Sequence, residues 1–209
     1  MSKNPYVDRM EKAAQKFIDS GAENKAAIDA LEAKNKAGRM TPRDYQAQLA
    51  ALKEESSLAQ VTLKEVIITE LNAYTSAVGE WAQVRGEDLP ADIAVLSSPV
   101  EIDKSDIERI AERHWTNYTM QRALMDYAKA RKIVFRHGPM PEKKTAAMVE
   151  IASFFDGIAN IGAASYNAKV FQKKETYDEH MAKYDRIIGD GSELAAAATN
   201  AATSLMIGG

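Results

Sequence analysis

The residues best suited to chemistry are few in this chain, and their spacing fits no catalytic or metal-binding motif. The three histidines, His114, His137 and His180, lie far apart, and none has a second histidine three or four residues away. The chain has no cysteine, which excludes disulfides, thiolate nucleophiles and cysteine zinc sites. No phosphate-binding glycine loop or nucleophile elbow is present. We therefore expect a protein that is not an enzyme and that binds neither a metal ion nor another cofactor.

A second group of candidates is basic. Arg122, Lys129 and Arg136 recur every seven residues, so on one continuous helix they would lie on the same side, with Lys132 beside them. Such a stripe can contact the phosphates of a nucleic acid. However, the net charge is −3, and the stripe could equally balance the acidic stretch 87–112 or simply be solvated. Binding to nucleic acid is therefore kept as an alternative function.

The strongest signal in the sequence is an apolar stripe at helical spacing. Thr41-Pro42 with Asp44 predicts the start of a helix, and no Gly or Pro follows from 43 to 77. The pattern predicts one amphipathic helix over about 42–85, roughly 60 Å long at 1.5 Å per residue. Because this length exceeds the diameter of a compact domain of 23.0 kDa, the stripe has to pack against other helices or other subunits.

Eight residues are expected to make these helix–helix contacts. Six belong to the apolar stripe, and two glycines lie in a small-residue segment that lets helices approach closely. They are Leu49, Leu52, Leu63, Leu71, Tyr74, Trp81, Gly157 and Gly162.

The remaining helix signals predict an all-α fold, an elongated helical hairpin or bundle. Before the long helix we expect a helix that ends at Gly21 and a second over 23–36. After it we expect one helix from about 103 to 136 and another from about 144 to 174. The short stretch 92–96 is expected to be a half turn or a strand.

The predicted organisation has four consecutive parts. They are N-terminal helices over 1–86, a linker over 87–103, a C-terminal helical region over 104–190 and a flexible alanine-rich tail over 191–209. Alanine favours helix, but its burial contributes little free energy, so the tail is expected to fray unless something covers it.

Membrane and targeting signals are weak. The N-terminal residues are charged and lack an apolar run, so we expect no signal peptide and synthesis in the cytoplasm. No window of about 18 residues is free of charge, which argues against a standard spanning helix. The stretch 146–171 comes nearest, and either it or the C-terminal tail could insert into a membrane after rearrangement. A membrane-active helical protein is thus the second alternative.

One resemblance concerns the stretch 31–52. It carries, in order, Leu31, Lys36-Ala37-Gly38, Met40, Thr41-Pro42, Asp44-Tyr45 and Leu52. This pattern resembles the short bacterial helical-hairpin domain associated with oligomerisation. The resemblance covers about a tenth of the chain and implies a tight turn between two helices that contribute to self-association.

A second resemblance concerns the small-residue segment 158–166 and the alternating charges over 169–184. These segments resemble internal virion proteins of tailed bacteriophages, which are helical, alanine-rich and poor in cysteine, and which leave the head during DNA ejection. Scaffolding proteins of the same viruses are also long-helix assembly proteins, but they often end in a basic helix pair, whereas this C-terminus is neutral and apolar. The resemblance implies a bacteriophage virion component.

Together these observations predict a non-enzymatic structural protein that works through helix–helix association. Its expected partners are other copies of itself, as a homo-oligomer, other structural proteins, or both.

Overall fold

The fold is all-α, as predicted. The computed structural model describes residues 4–86, 89–98 and 102–197, and these residues contain no strand. The helices are α1 (Pro5–Lys36), α2 (Pro42–Trp81), α3 (Ile93–Leu96), α4 (Lys104–Arg113), α5 (Tyr118–Ala130), α6 (Pro141–Ile161), α7 (Tyr166–Gln172) and α8 (Lys174–Ile188). A further helical segment covers 192–197.

The start of the long helix is confirmed. Thr41 Oγ1 accepts a hydrogen bond from the Asp44 backbone N–H at 3.1 Å, and Pro42 occupies the first helical position. The helix then runs for 40 residues and ends at Trp81, four residues before the expected end.

The expected break at Gly21 is wrong, because α1 continues through it to Lys36. A glycine inside a helix costs only about 1 kcal/mol relative to alanine. Packing beyond Gly21 outweighs this cost: Leu31 is buried, and the Asn24 side-chain amide donates to the Leu52 carbonyl at 2.7 Å. One continuous helix therefore replaces the two that were expected.

The single helix expected over 103–136 is also wrong. It is divided into α4 and α5, and the Asn117 side chain caps α5 by accepting from the Met120 N–H at 2.9 Å. At the other end, Lys132 adopts a left-handed backbone with φ 58°. The Ile133 N–H then reaches back to the Ala128 carbonyl at 2.9 Å, a Schellman motif in which lysine takes the usual place of glycine.

The single helix expected over 144–174 is interrupted twice. It forms α6, which already begins at Pro141, then α7 and the first residue of α8. Gly162 ends α6 in the left-handed region, with φ 82°. Ser165 then caps α7 by accepting from the Ala168 N–H at 3.0 Å.

Part of the expected linker is structured. Residues 93–96 form the single helical turn α3, where a half turn or a strand was expected. Ile93 and Leu96 pack against the cluster formed by Ile107, Met120 and Leu124 of α4 and α5. Linker residues 87, 88 and 99–101 lie outside the described residues.

The chain divides into two compact units, each made from two separate stretches. Unit 1 contains Met1–Asn72 and Val149–Ala182, and unit 2 contains Ala73–Met148 and Lys183–Gly209. This division differs from the consecutive regions expected from the sequence, because late helices pack against early ones within each unit.

Each of the two units contains buried apolar side chains. The larger fully or nearly fully buried side chains of unit 1 include Met10, Ile18, Leu63, Ile67, Ile151, Phe155, Ile158 and Met181. Those of unit 2 include Tyr74, Val78, Ile107, Met120, Leu124, Met148, Ile188 and Leu194. Leu194 belongs to the tail that was expected to be flexible, so at least 192–197 of that tail is ordered by packing. Residues 198–209 lie outside the described residues.

Candidate interaction surface

In unit 1, α1 and α2 form an antiparallel hairpin. The Arg9 guanidinium makes two hydrogen bonds of 2.7 Å to the Glu70 carboxylate, and Asn24 reaches Leu52 farther along. Residues later in α1 therefore contact residues earlier in α2, as expected of an antiparallel pair. The turn lies at 37–41, inside the stretch 31–52, and contains Gly38 with φ 67°.

Most of the predicted contact stripe is used within the chain. Leu63, Tyr74 and Trp81 are buried, whereas Leu49, Leu52 and Leu71 are half-buried. Gly157 and Gly162, the two glycines predicted to make helix–helix contacts, also act within the chain. A Cβ at Gly157 would lie 2.3 Å from the Asn167 amide nitrogen, so this glycine permits the close contact of α6 and α7, while Gly162 forms the end of α6.

A different face of α2 carries large apolar side chains that the chain leaves exposed. Leu58 is 65% exposed, Val61 46% and Ile68 59%. Their spacing of three and seven residues places them on one side of the helix over about 15 Å. We call these three residues the α2 face. These three residues were not predicted as contacts, because the longer stripe, which the fold buries, is the stronger apolar series. The signal for them in the sequence is a second apolar series at helical spacing.

The four predicted basic residues do not form one stripe. Arg122 and Lys129 are exposed on α5, but Lys132 and Arg136 follow its end and are exposed on irregular backbone. Arg136 lies over the Trp115 ring, 5.4 Å from its centroid. The seven-residue spacing fails to align these charges because the Schellman turn interrupts the helix. These four residues therefore do not form a continuous phosphate-binding face.

The three histidines have separate partners. His114 Nε2 lies 2.9 Å from the Asp92 carboxylate, and this hydrogen bond, aided by Arg113, lowers the pKa of Asp92. His137 Nδ1 contacts the Gly138 carbonyl at 2.7 Å, and His180 stacks on Phe154. Within the part of the chain that the structure describes, no three acidic or histidine side chains are grouped so as to hold a metal ion.

In unit 1, a groove of about 800 Å³ lies between α1 and the α7–α8 region. Glu11 is buried on its α1 side and accepts a 2.9 Å hydrogen bond from the Tyr177 hydroxyl. Its walls carry charges of both signs and a few polar and aromatic groups, namely Lys12, Gln15, Lys16, Asp19, Ser20, Glu23, Phe171, Gln172, Lys174 and Asp178. A groove of this mixed character selects neither an anion nor a cation.

The stretch expected to approach a membrane is bent. Among the described residues, no helix alone has both the length and the apolar composition of a spanning segment. α6 and α7 meet those criteria only as a pair, with a bend of 112° between them. Met148, Ile151, Phe155 and Ile158 of this stretch are fully buried.

Comparison of the chain with protein-family models, curated proteins and solved structures gave no match.

Proposed function

We propose that this chain is a non-enzymatic assembly protein that associates with other copies of itself through the α2 face. The observation that carries the proposal is the alignment of Leu58, Val61 and Ile68 on one side of a helix while the rest of the helix's apolar residues are at least half-buried or small. Single exposed apolar residues are common on protein surfaces, but three on one side of a helix, with only the exposed Glu65 between Val61 and Ile68, favour a contact site.

The expected affinity follows from the area that remains to be covered. About half of each of the three side chains is exposed, so complete burial contributes about 1 kcal/mol per side chain. Two copies that meet through the same face would gain about 6 kcal/mol, while the loss of translational and rotational freedom costs at least about 4 kcal/mol. The α2 face alone therefore gives weak, concentration-dependent association, of the kind that becomes effective when many copies are held together in a particle.

The setting that we propose is a bacteriophage virion, as an internal or scaffold-like component made in the cytoplasm of the host. The support is the resemblance of 158–166 and 169–184 to internal virion proteins and of 31–52 to an oligomerisation hairpin. The α1–α2 hairpin with its turn at 37–41 is the form that the resemblance of 31–52 to the oligomerisation hairpin implies.

The test is a matched pair of glutamate substitutions on α2. Val61→Glu places a charge in the α2 face, whereas Gln48→Glu places the same charge on an exposed residue that lies on a different side of the helix, about 15 Å before Leu58. Light scattering after size exclusion should show that the second variant retains the concentration-dependent mass of the unmodified chain and that the first remains monomeric. Equal association of both variants and the unmodified chain would show that this face is not the contact.

A further inference from the structure

In unit 2, residues 189–197, which we call the strap, follow α8 directly and begin with a glycine hinge. The Gly189 N–H closes α8 by donating to the Asp185 carbonyl at 3.0 Å. Gly189 and Gly191 both have positive φ, 67° and 81°, on either side of Asp190. Because glycine enters this region at little cost, two such residues make a point where the chain can change direction.

The strap is attached by a charge pair in the interior. Lys144 is fully buried, and its Nζ lies 2.8 Å from Glu193 Oε1 and 3.4 Å from the Ile188 carbonyl oxygen. The same ammonium group lies over the ring of Trp81, 4.9 Å from the centroid. A Cβ at Gly189 would lie 2.7 Å from Glu193 Oε1, so the hinge glycine also leaves space for the carboxylate.

The strap forms one wall of a cleft of about 220 Å³. Glu193, Ala196 and Ala197 line that wall. The opposite walls come from the end of α2, the residues after it and the start of α5, namely Glu80, Trp81, Arg85, Thr116, Asn117, Tyr118 and Thr119. Movement of the strap would open this cleft and expose Trp81 and the Lys144 ammonium group.

We propose that the strap is a hinged latch, locked over Trp81 by the Lys144–Glu193 pair, that opens as a unit while the rest of unit 2 stays folded. A buried ammonium group without a counter-charge is strongly unfavourable. The strap therefore has two arrangements: closed with the pair made, or lifted with both charges in water. Leu194 is fully buried in the closed arrangement and moves with the strap. This inference concerns unit 2 and does not depend on the α2 face.

The first test is hydrogen–deuterium exchange of the full chain carrying Glu193→Gln. Removal of the counter-charge should speed the exchange of the amides at 192–197 about 100-fold, including the Ala195 N–H that bonds to the Gly191 carbonyl. The amides of α5 should be unaffected. As a control, Glu108→Gln breaks the exposed Lys104–Glu108 pair of the same unit and should change neither region. Unchanged protection of 192–197, or equal acceleration in α5, would overturn the latch.

A second variant covers the case in which Glu193→Gln does not fold. Glu193→Asp keeps both charges but shortens the carboxylate side chain by one methylene group, which weakens its hydrogen bond to Lys144 Nζ. If the charge pair is the lock, the amides at 192–197 exchange about tenfold faster than in the unmodified chain, while α5 keeps its protection. If apolar packing of Leu194 is the lock instead, 192–197 exchange at the unmodified rate, and the proposal is wrong.

Discussion

The polar interior of unit 2 depends strongly on one side chain, Gln121. It is 1% exposed, and its amide nitrogen donates to the carbonyl oxygens of Ala111 at 2.7 Å and His114 at 2.8 Å. Its amide oxygen accepts from the Gly138 N–H at 2.9 Å. One side chain on α5 thus satisfies backbone groups at the end of α4, in the α4–α5 connection and in the segment before α6.

Replacement by leucine, Gln121→Leu, keeps the volume but removes all three hydrogen bonds. The His114 carbonyl retains a 3.0 Å bond from the Asn117 N–H, so the main cost falls on the Ala111 carbonyl and the Gly138 N–H. A buried polar group without a partner costs about 1–3 kcal/mol. We therefore expect a loss of about 2–6 kcal/mol, a large part of the roughly 5–15 kcal/mol typical of a native protein.

The assay is urea denaturation monitored by circular dichroism. The dependence of the free energy of unfolding on urea concentration should be the same for the variant and the unmodified chain. The matched control is Arg122→Leu, the exposed neighbour on the same helix, which should change the free energy of unfolding by less than about 0.5 kcal/mol. If Gln121→Leu costs no more than this control, Gln121 does not hold these three segments together.

Three further predictions test local features. Gly157→Ala should destabilise the chain by about 1–3 kcal/mol, because the new methyl group would displace Asn167, whose amide donates to the Phe154 carbonyl at 2.8 Å. Gly21→Ala should stabilise the chain by about 0.5–1 kcal/mol, because a Cβ there meets nothing within 4 Å inside a continuous helix. Thermal denaturation measures the effects of both glycine substitutions. Stability changes of the same sign for the two variants would contradict the reasoning. The hydrogen bond with His114 lowers the pKa of Asp92. The stabilisation that ionised Asp92 gives the folded chain is therefore complete above the unfolded-state pKa near about 4, and it is lost as the pH falls through the lower folded-state pKa. The urea midpoint of Asp92→Asn should therefore fall less steeply below about pH 4 than that of the unmodified chain; parallel curves would argue against it.

Local chemistry was a good guide to where α2 begins. Thr41-Pro42 predicted the start of α2, and the apolar periodicity predicted its length to within four residues. The same reasoning failed at Gly21, because a local cost of about 1 kcal/mol is smaller than the packing of one buried leucine. It also missed the end of α5, where the required left-handed residue is Lys132 and not a glycine.

The candidate surfaces were harder to predict because they depend on contacts between distant residues. The sequence shows that Leu63 and Tyr74 are apolar, but only the fold shows that they are covered by the chain itself, while Leu58 and Ile68 are not. Similarly, Lys144 looks like one of many lysines. Its pairing with Glu193, 49 residues away, follows from the path of α8 and the strap and carries no local signal.

Self-association is the property that tests this account most directly. Sedimentation equilibrium of the unmodified chain over a wide range of concentrations should give a weight-average mass that rises above the monomer value of 23.0 kDa, and Val61→Glu should abolish the rise. A mass of 23.0 kDa at every concentration would contradict the proposal that this protein assembles through the α2 face.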